Sequence, residues 1–304
     1  MMDAGSSWAY PRQDPHALHA RHRFAALVAG RDDAIDVAVA VALVAAEEHL
    51  GADTDAMLKQ IDDLAARVRR RLADARDRRP GANPDELAIG ALHGVMFDDE
   101  GFQGATLEEY PRPEASLLDL VLERRRGLPI LLAIVYCAVA RRAGLDAVGV
   151  GLPGHFIVEF RGMAMRVLVD PFDRGRRLTI DDAEAIVARV TGREIALRAH
   201  HFQAVPPRRT ILRVLENLKG AYLRQGDYPR ALEVVERILL VAPTAETVRD
   251  RGLLLREVSM PDGANLSAAW FDLRLYARVM ASAPDAEAIR RVADEIWTAL
   301  GRSN

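Results

Sequence analysis

Two short blocks hold side chains that could do acid–base chemistry together: GHFIVEF, with His155 and Glu159, and LVDPF, with Asp170. A carboxylate beside a histidine fixes the tautomer and the ring orientation, as a general base or a proton acceptor for a nucleophile requires. A thiol or hydroxyl would complete a hydrolytic site. Cys137 is the single cysteine, and its place in the run PILLAIVYCAVARR decides what it can do. Glu123, Arg124 and Arg125 precede that run. They are candidates for lining a cleft, with a solvated helix end as the plainer reading. His200 and His201 are adjacent; as strand neighbours they would point to opposite faces, so no metal site is expected.

The elements that must position these groups follow from periodicity. Ser116 is placed to cap a helix running to about Arg126, and Gly127 breaks it. Pro129 suits the first turn of the next helix, which runs to Ala143 and stops at Gly144. That helix is apolar on nearly every face until Arg141 and Arg142, the mark of a buried one. Beyond Gly144 the period becomes two, and Ala147–Gly151, His155–Phe160 and Met165–Asp170 read as strands, with Arg161–Ala164 as the last turn. Symmetric closure sets His155 opposite Asp170, Ile157 opposite Leu168 and Glu159 opposite Arg166. The other face then pairs Phe156 with Val169, Val158 with Val167 and Phe160 with Met165. Such cross-strand pairs contribute roughly 0.2–1 kcal/mol each.

The blocks LLDLVLERRRGLPILLAIVYCAVARRAGL, GVGLPGHFIVEF and LVDPFDRGRRLT, in this order and spacing, resemble the transglutaminase-like family. Within it they are similar to the SirB type, a bacterial branch with C-terminal tetratricopeptide repeats. The resemblance is close over Leu117–Leu178 and looser from Ala17 to Thr179. It implies an α+β fold: a helical N-terminal region, a papain-like core with a small antiparallel sheet, and all-α hairpins at the C-terminus. It also implies a nucleophilic cysteine at the start of the buried helix, where the helix N-terminus lowers a thiol pKa. His155 matches the family's catalytic histidine and Asp170 its aspartate. The nucleophile's position falls on Leu128 or Pro129, neither of which can attack a carbonyl. Gly127–Val135 contains no Cys, Ser or Thr. Cys137 lies about 12 Å further along the helix, where a thiol behaves as a small hydrophobe.

The remaining segments divide as a polar, disordered tail over 1–16, a helical region over 17–113, the core over 114–205 and helical repeats over 206–304. In the second segment Leu58, Ile61, Leu64, Ala65, Val68 and Leu72 form an apolar stripe. Asn83, Pro84 and Glu86 fit an N-cap, N1 and capping-box N3, and a loop is expected from Asp98 to Pro113. Thr179, with Asp182 three residues on, caps a helix after a Gly/Arg loop. With Leu212 as the first position, Tyr222, Gly226, Ala231 and Pro243 fall on tetratricopeptide positions. A second, diverged unit runs from Glu246 to Pro284, lengthened by MPDGANLS, and Val292, Ile296, Trp297 and Leu300 stripe the last helix.

Bulk properties narrow the function. The chain has 304 residues and a net charge of -3, so no global field attracts nucleic acid or an anionic membrane. One cysteine rules out an internal disulfide and fits a reducing compartment. The start carries no apolar signal region, and the most apolar runs, Ala34–Ala46 and Pro129–Ala140, are shorter than the ~20 residues of a membrane span. A cytoplasmic protein without cofactor or metal is expected. It would act as a non-catalytic interaction, scaffold or regulatory module through its repeats, with unidentified protein partners and neither nucleic acid nor membrane. The alternative is an amide or ester hydrolase in which His155 and Asp170 activate water.

Overall fold

The computed structural model describes residues 14–259 and 265–302. The expected tail up to Gln13, and Met260–Ala264 of the insertion, lie outside the described residues. In chain order the helices are α1 (Pro15–Ala29), α2 (Val37–Glu48), α3 (Thr54–Arg78), α4 (Pro84–His93), α5 (Leu118–Arg124) and α6 (Pro129–Arg142). There follow α7 (Ile180–Thr191), α8 (Pro207–Gln225), α9 (Tyr228–Val241), α10 (Ala245–Val258), α11 (Leu266–Val279) and α12 (Ala286–Arg302). Strands β1 (Gln103–Gly104) and β2 (Arg126–Gly127) make a short parallel pair. Strands β3 (Asp146–Leu152), β4 (His155–Arg161), β5 (Arg166–Asp170) and β6 (Arg176–Leu178) form an antiparallel sheet in that order. The result is the expected α+β fold.

Two compact units emerge: Arg31–Thr210, and the residues through Gly30 together with those from Ile211. The first is built on α6. From Pro129 to Ala140 every residue of this helix except Cys137 is buried, under α2, α3, β3 and β4. The hydroxyl of Tyr136, the polar atom on this surface, bonds His93 Nε2 at 3.0 Å, and burial lowers the His93 pKa to about 4. At the helix end the Gly144 N–H donates to Arg141 O and the Leu145 N–H to Ala140 O. With Gly144 at φ 79, this is a left-handed C-terminal cap that only glycine adopts freely.

The sheet corrects the expected register. Val158 pairs with Val169, Glu159 with Leu168, Phe160 with Val167 and Arg161 with Arg166. The turn is therefore Gly162–Met165, closed by the Gly162 N–H to Met165 O at 2.8 Å. Its location is set from outside the hairpin. The Asp85 carboxylate on α4 accepts the N–H groups of Met163, Ala164 and Met165 at 2.9, 2.7 and 3.0 Å. A Cβ on Gly162 would stand 2.3 Å from Asp85 Cγ. A shift of pairing by two residues leaves every side chain on its expected face. Ile157, with Val150 and Leu152, packs against Ala183, Ile186 and Val187 of α7, while Phe156 faces α6.

Other local expectations changed as well. Ser116 does not cap α5: it ends a 3-10 turn, Pro113–Ser116, and Leu117 holds the cap position without a side-chain bond. Asn83 caps α4, but Glu86 turns away to Arg177 at 2.9 and 2.6 Å instead of completing a capping box. Thr179 and Asp182 do complete theirs. Part of the expected Gly/Arg loop is β6. His200 and His201 lie in a 3-10 turn with ring centroids 3.9 Å apart, rather than on opposite faces of a strand.

In the helical unit α1 packs on α9, with Arg21 bonded to Glu236 at 3.0 Å. The stripe Ala17, Ala20, Phe24 and Val28 is buried there, so α1 groups with the C-terminal helices and not with the N-terminal segment that contains it. Among the repeat positions, Tyr222 and Ala231 are fully buried, Gly226 closes α8 at φ 72, and Pro243 follows the end of α9. The buried stripe of α12 is Ala286, Ile289, Ala293 and Ile296, and Trp297 stays 59% exposed.

The Asp85 clamp makes a pH prediction. Backbone donors from Ala164 and Met163 hold its pKa below the ordinary carboxylate value. Its contribution is complete above that ordinary value and is lost as pH falls through the lowered folded one. Asp85→Asn should lower Tm at neutral pH and flatten the loss of Tm below about pH 4, as followed by circular dichroism. An unchanged acid profile would show that the clamp is not used.

Candidate functional site

His155 opens β4 and Asp170 closes β5, so the two sit diagonally across the hairpin rather than directly opposite. The diagonal is short enough: His155 Nε2 meets Asp170 Oδ2 at 2.8 Å. Asp170 Oδ1 accepts the Phe172 N–H at 2.9 Å, and its carbonyl accepts the Gly175 N–H at 2.9 Å. The carboxylate is thus fixed by its own turn before it orients the imidazole. The pair is sealed, with His155 6% and Asp170 2% exposed.

Phe172 supplies part of the cover. Its ring stands edge-on to His155 at 5.9 Å between centroids, and Tyr110 stands edge-on to Phe172 at 6.1 Å. Gly104 on β1 makes room for that ring, since a Cβ there would lie 2.5 Å from it. Gly104 pairs with Gly127, the residue that leads into Leu128 and α6. At this helix start the Leu128 N–H donates to Ala115 O at 3.0 Å and Pro129 has no N–H. These two positions therefore offer no donor to a developing oxyanion.

Two non-glycine residues are left-handed, Arg125 at φ 57 and Arg174 at φ 48, and they flank the site on either side. Arg125 ends α5; it bonds Glu100 at 2.8 Å and lies over the Phe102 ring. Arg174 donates to Phe97 O at 2.8 Å. Both partners belong to or border a π-helical turn, Gly94–Asp99. Such conformations cost of order 1–3 kcal/mol and persist where surrounding contacts fix them.

The sequence candidates therefore separate. His155, Asp170 and the loop fixed by Arg125 are brought to one place. Glu123 and Arg124 are exposed at the end of α5, the solvated alternative. Glu159 sits four residues along β4, bonded to Arg161 and Arg166 at 2.7 and 3.3 Å. Cys137 lines a different cleft of about 450 Å³, with Ile35, Asp36, Ala133, Arg141 and Phe156. Burial pushes its thiol up to about 12, the reverse of an activated cysteine. Among the described residues no His, Cys, Asp or Glu group could hold a metal ion. Phe172, Asp85 and Arg174 escaped the sequence reading. Gly104 and Gly162 were the signal for the first two, because each lies where a Cβ would meet that side chain.

A buried helix followed by an antiparallel sheet, with a bonded His–Asp pair on adjacent strands, is the architecture of a transglutaminase-like domain. Residues 55–216, just over half of the chain, match the Transglutaminase-like superfamily, and the chain belongs to it. Residues 218–294 match the Tetratricopeptide repeat. A UPF0162 protein of Xylella fastidiosa is 32% identical over 208 residues, covering 67% of this chain and 72% of that protein. A UPF0162 protein of Pseudomonas aeruginosa is 31% identical over 223 residues, 72% of this chain and 78% of that one. F-box only protein 21 of Homo sapiens is 25% identical over 146 residues, but only 22% of its length is covered. No solved structure matches the chain.

Removing the imidazole would orphan a buried carboxylate. His155→Ala is expected to cost about 1–3 kcal/mol of stability, measured by urea denaturation. Adding Asp170→Ala to it should cost less than the sum of the two single changes. Strict additivity would mean that the bond contributes nothing to the fold.

Proposed function

We propose that this chain is a non-catalytic transglutaminase-like protein of the SirB type, acting in the cytoplasm as a protein-interaction, scaffold or regulatory module. The observation that carries this reading is the start of α6. Leu128 and Pro129 occupy the turn where the family's thiolate would be, with no hydroxyl or thiol through Val135. Three further features support it: the covered His155, the mid-helix Cys137 with its raised pKa, and tetratricopeptide repeats, whose stacked helices commonly form partner-binding surfaces. In this reading His155 and Asp170 are a remnant pair kept for the fold. Partners are proteins engaged through the repeats. No helix among the described residues is long and apolar enough to cross a membrane.

A hydrolase that activates water with His155 is the second reading. The intact 2.8 Å bond to Asp170 favours it, and it requires Phe172 to move away from the imidazole. Cys137 is inert in both readings, so iodoacetamide at neutral pH should alkylate it on the order of 10³-fold more slowly in the folded chain than in urea, following its thiolate fraction. Substrate turnover separates the two, and its absence is expected in the first. A panel of peptide, isopeptide and ester substrates then shows no turnover that His155→Gln removes. Turnover lost with His155→Gln in a chain of unchanged circular dichroism would establish the hydrolase instead.

A further inference from the structure

The surface of the helical unit departs from ordinary surface chemistry at α11 and α12. Phe271 is 61%, Val279 60% and Trp297 59% exposed. The Trp297 ring stacks on Trp270 at 4.9 Å between centroids, tilted by 33°. Beside this aromatic pair runs a groove of about 580 Å³, lined by Trp270, Phe271, Arg274, Leu275, Arg278 and Arg290 among others. From Trp270 to Arg278 it follows α11 for about 12 Å, a little over two helical turns.

Every charged side chain lining this groove is an arginine, in a chain whose net charge is -3. Arg274 reaches Asp294 at 3.5 Å, Arg290 pairs with Glu287, and no ion pair holds Arg278 among the described residues. Neither acid partner lines the groove. Tryptophan and arginine are the residue types that carry most binding energy at protein interfaces. Arg274 and Arg278, four residues apart, lie on one face of α11, the spacing that meets acids on one face of an opposing helix. A single-stranded nucleic acid would also use aromatic rings and arginines, but it stacks bases on open ring faces. Here the two indoles are stacked on each other.

Building on the interaction reading above, we infer that the α11–α12 groove binds an acidic amphipathic helix of a partner protein. Its apolar face would cover Trp270, Phe271 and Trp297, and its carboxylates would pair with Arg274 and Arg278. This is the helix-in-groove mode, with charge selecting the partner.

The full chain carrying Trp8→Phe leaves Trp270 and Trp297 as its only tryptophans, so their emission reports on the groove. The probe is a helix-forming peptide of about four turns, with Leu and Phe at i, i+3, i+4 and i+7 and Glu elsewhere. A second peptide replaces every Glu by Lys. The Glu peptide should change the emission saturably and bind at least about tenfold more tightly than the Lys peptide, with affinity falling as salt rises. Arg278→Glu should erase or reverse that preference, and Phe271→Ser should weaken both peptides, each with Tm unchanged. Equal binding of the two peptides, no binding, binding of an oligouridylate instead, or self-association through this face in sedimentation would each overturn the assignment. If a host protein that co-purifies with the chain stays bound to Arg278→Glu, this surface is wrong while the interaction reading stands. If the Glu peptide binds as expected and the chain also turns over substrate through His155, the groove stands and the non-catalytic reading falls.

Discussion

Helix α6 buries every residue from Pro129 to Ala140 except Cys137, and the Arg31–Thr210 unit is arranged to meet that demand. Fully burying a Leu, Ile or Val side chain contributes roughly 1.5–3 kcal/mol, and such residues occupy all sides of α6. A helix of this kind needs partners around its whole circumference, which α2, α3 and the inner face of the sheet supply. Once Phe156 and its face-mates pack on α6, alternation along β4 commits His155, Ile157 and Glu159 to the other face. The position of the histidine is therefore a consequence of covering α6. The same helix fixes the approach to the site, since β2 leads into it and pairs with β1 beside Phe172.

The His155–Asp170 bond has a physical reason to persist that is independent of any chemistry. Both groups are nearly sealed from solvent, and a buried polar group that loses its partner keeps its desolvation penalty. Each member therefore makes the other costly to replace alone, whatever stands at the start of α6. The same logic explains why the other carboxylate oxygen is bonded by the Phe172 N–H of its own turn. The rings around the pair add cover: Phe172 stands edge-on to the imidazole and Tyr110 edge-on to Phe172.

What the sequence disclosed depended on how local the determining interaction was. The buried helix, its glycine cap and the faces of the strands were legible because they follow from periodicity within one element. The hairpin register was not, because the turn is placed by Asp85, 78 residues before Met163. Ser116 looked like a cap because its type favours that role, yet tertiary packing put it in the preceding turn and left Leu117 at the cap. The grouping of α1 with the C-terminal helices was hidden for a similar reason. Its stripe Ala17, Ala20, Phe24 and Val28 announces a buried face but not the surface that covers it. For the site, residue type and order identified His155 and Asp170, while the cover over them was visible only as unexplained glycines.

The left-handed arginines show how a site of this shape is held when its first turn carries no reactive group. Arg125 and Arg174 occupy conformations that disfavour any side chain with a Cβ, so each must be compensated locally. Arg125 is compensated by an ion pair with Glu100 and the face of Phe102. Arg174 is compensated by the Phe97 carbonyl. Both anchors converge on the π-helical turn Gly94–Asp99 and its border, and Arg67 and Arg71 of α3 secure that turn from behind through Asp99 and Glu100. The loops on either side of the His–Asp pair are thus tied to one rigid support by guanidinium groups that need not touch a substrate. Geometry maintained by packing and ion pairs in this way does not depend on the residue at the helix start. Leu128 and Pro129 can accordingly stand there without the arrangement around them collapsing.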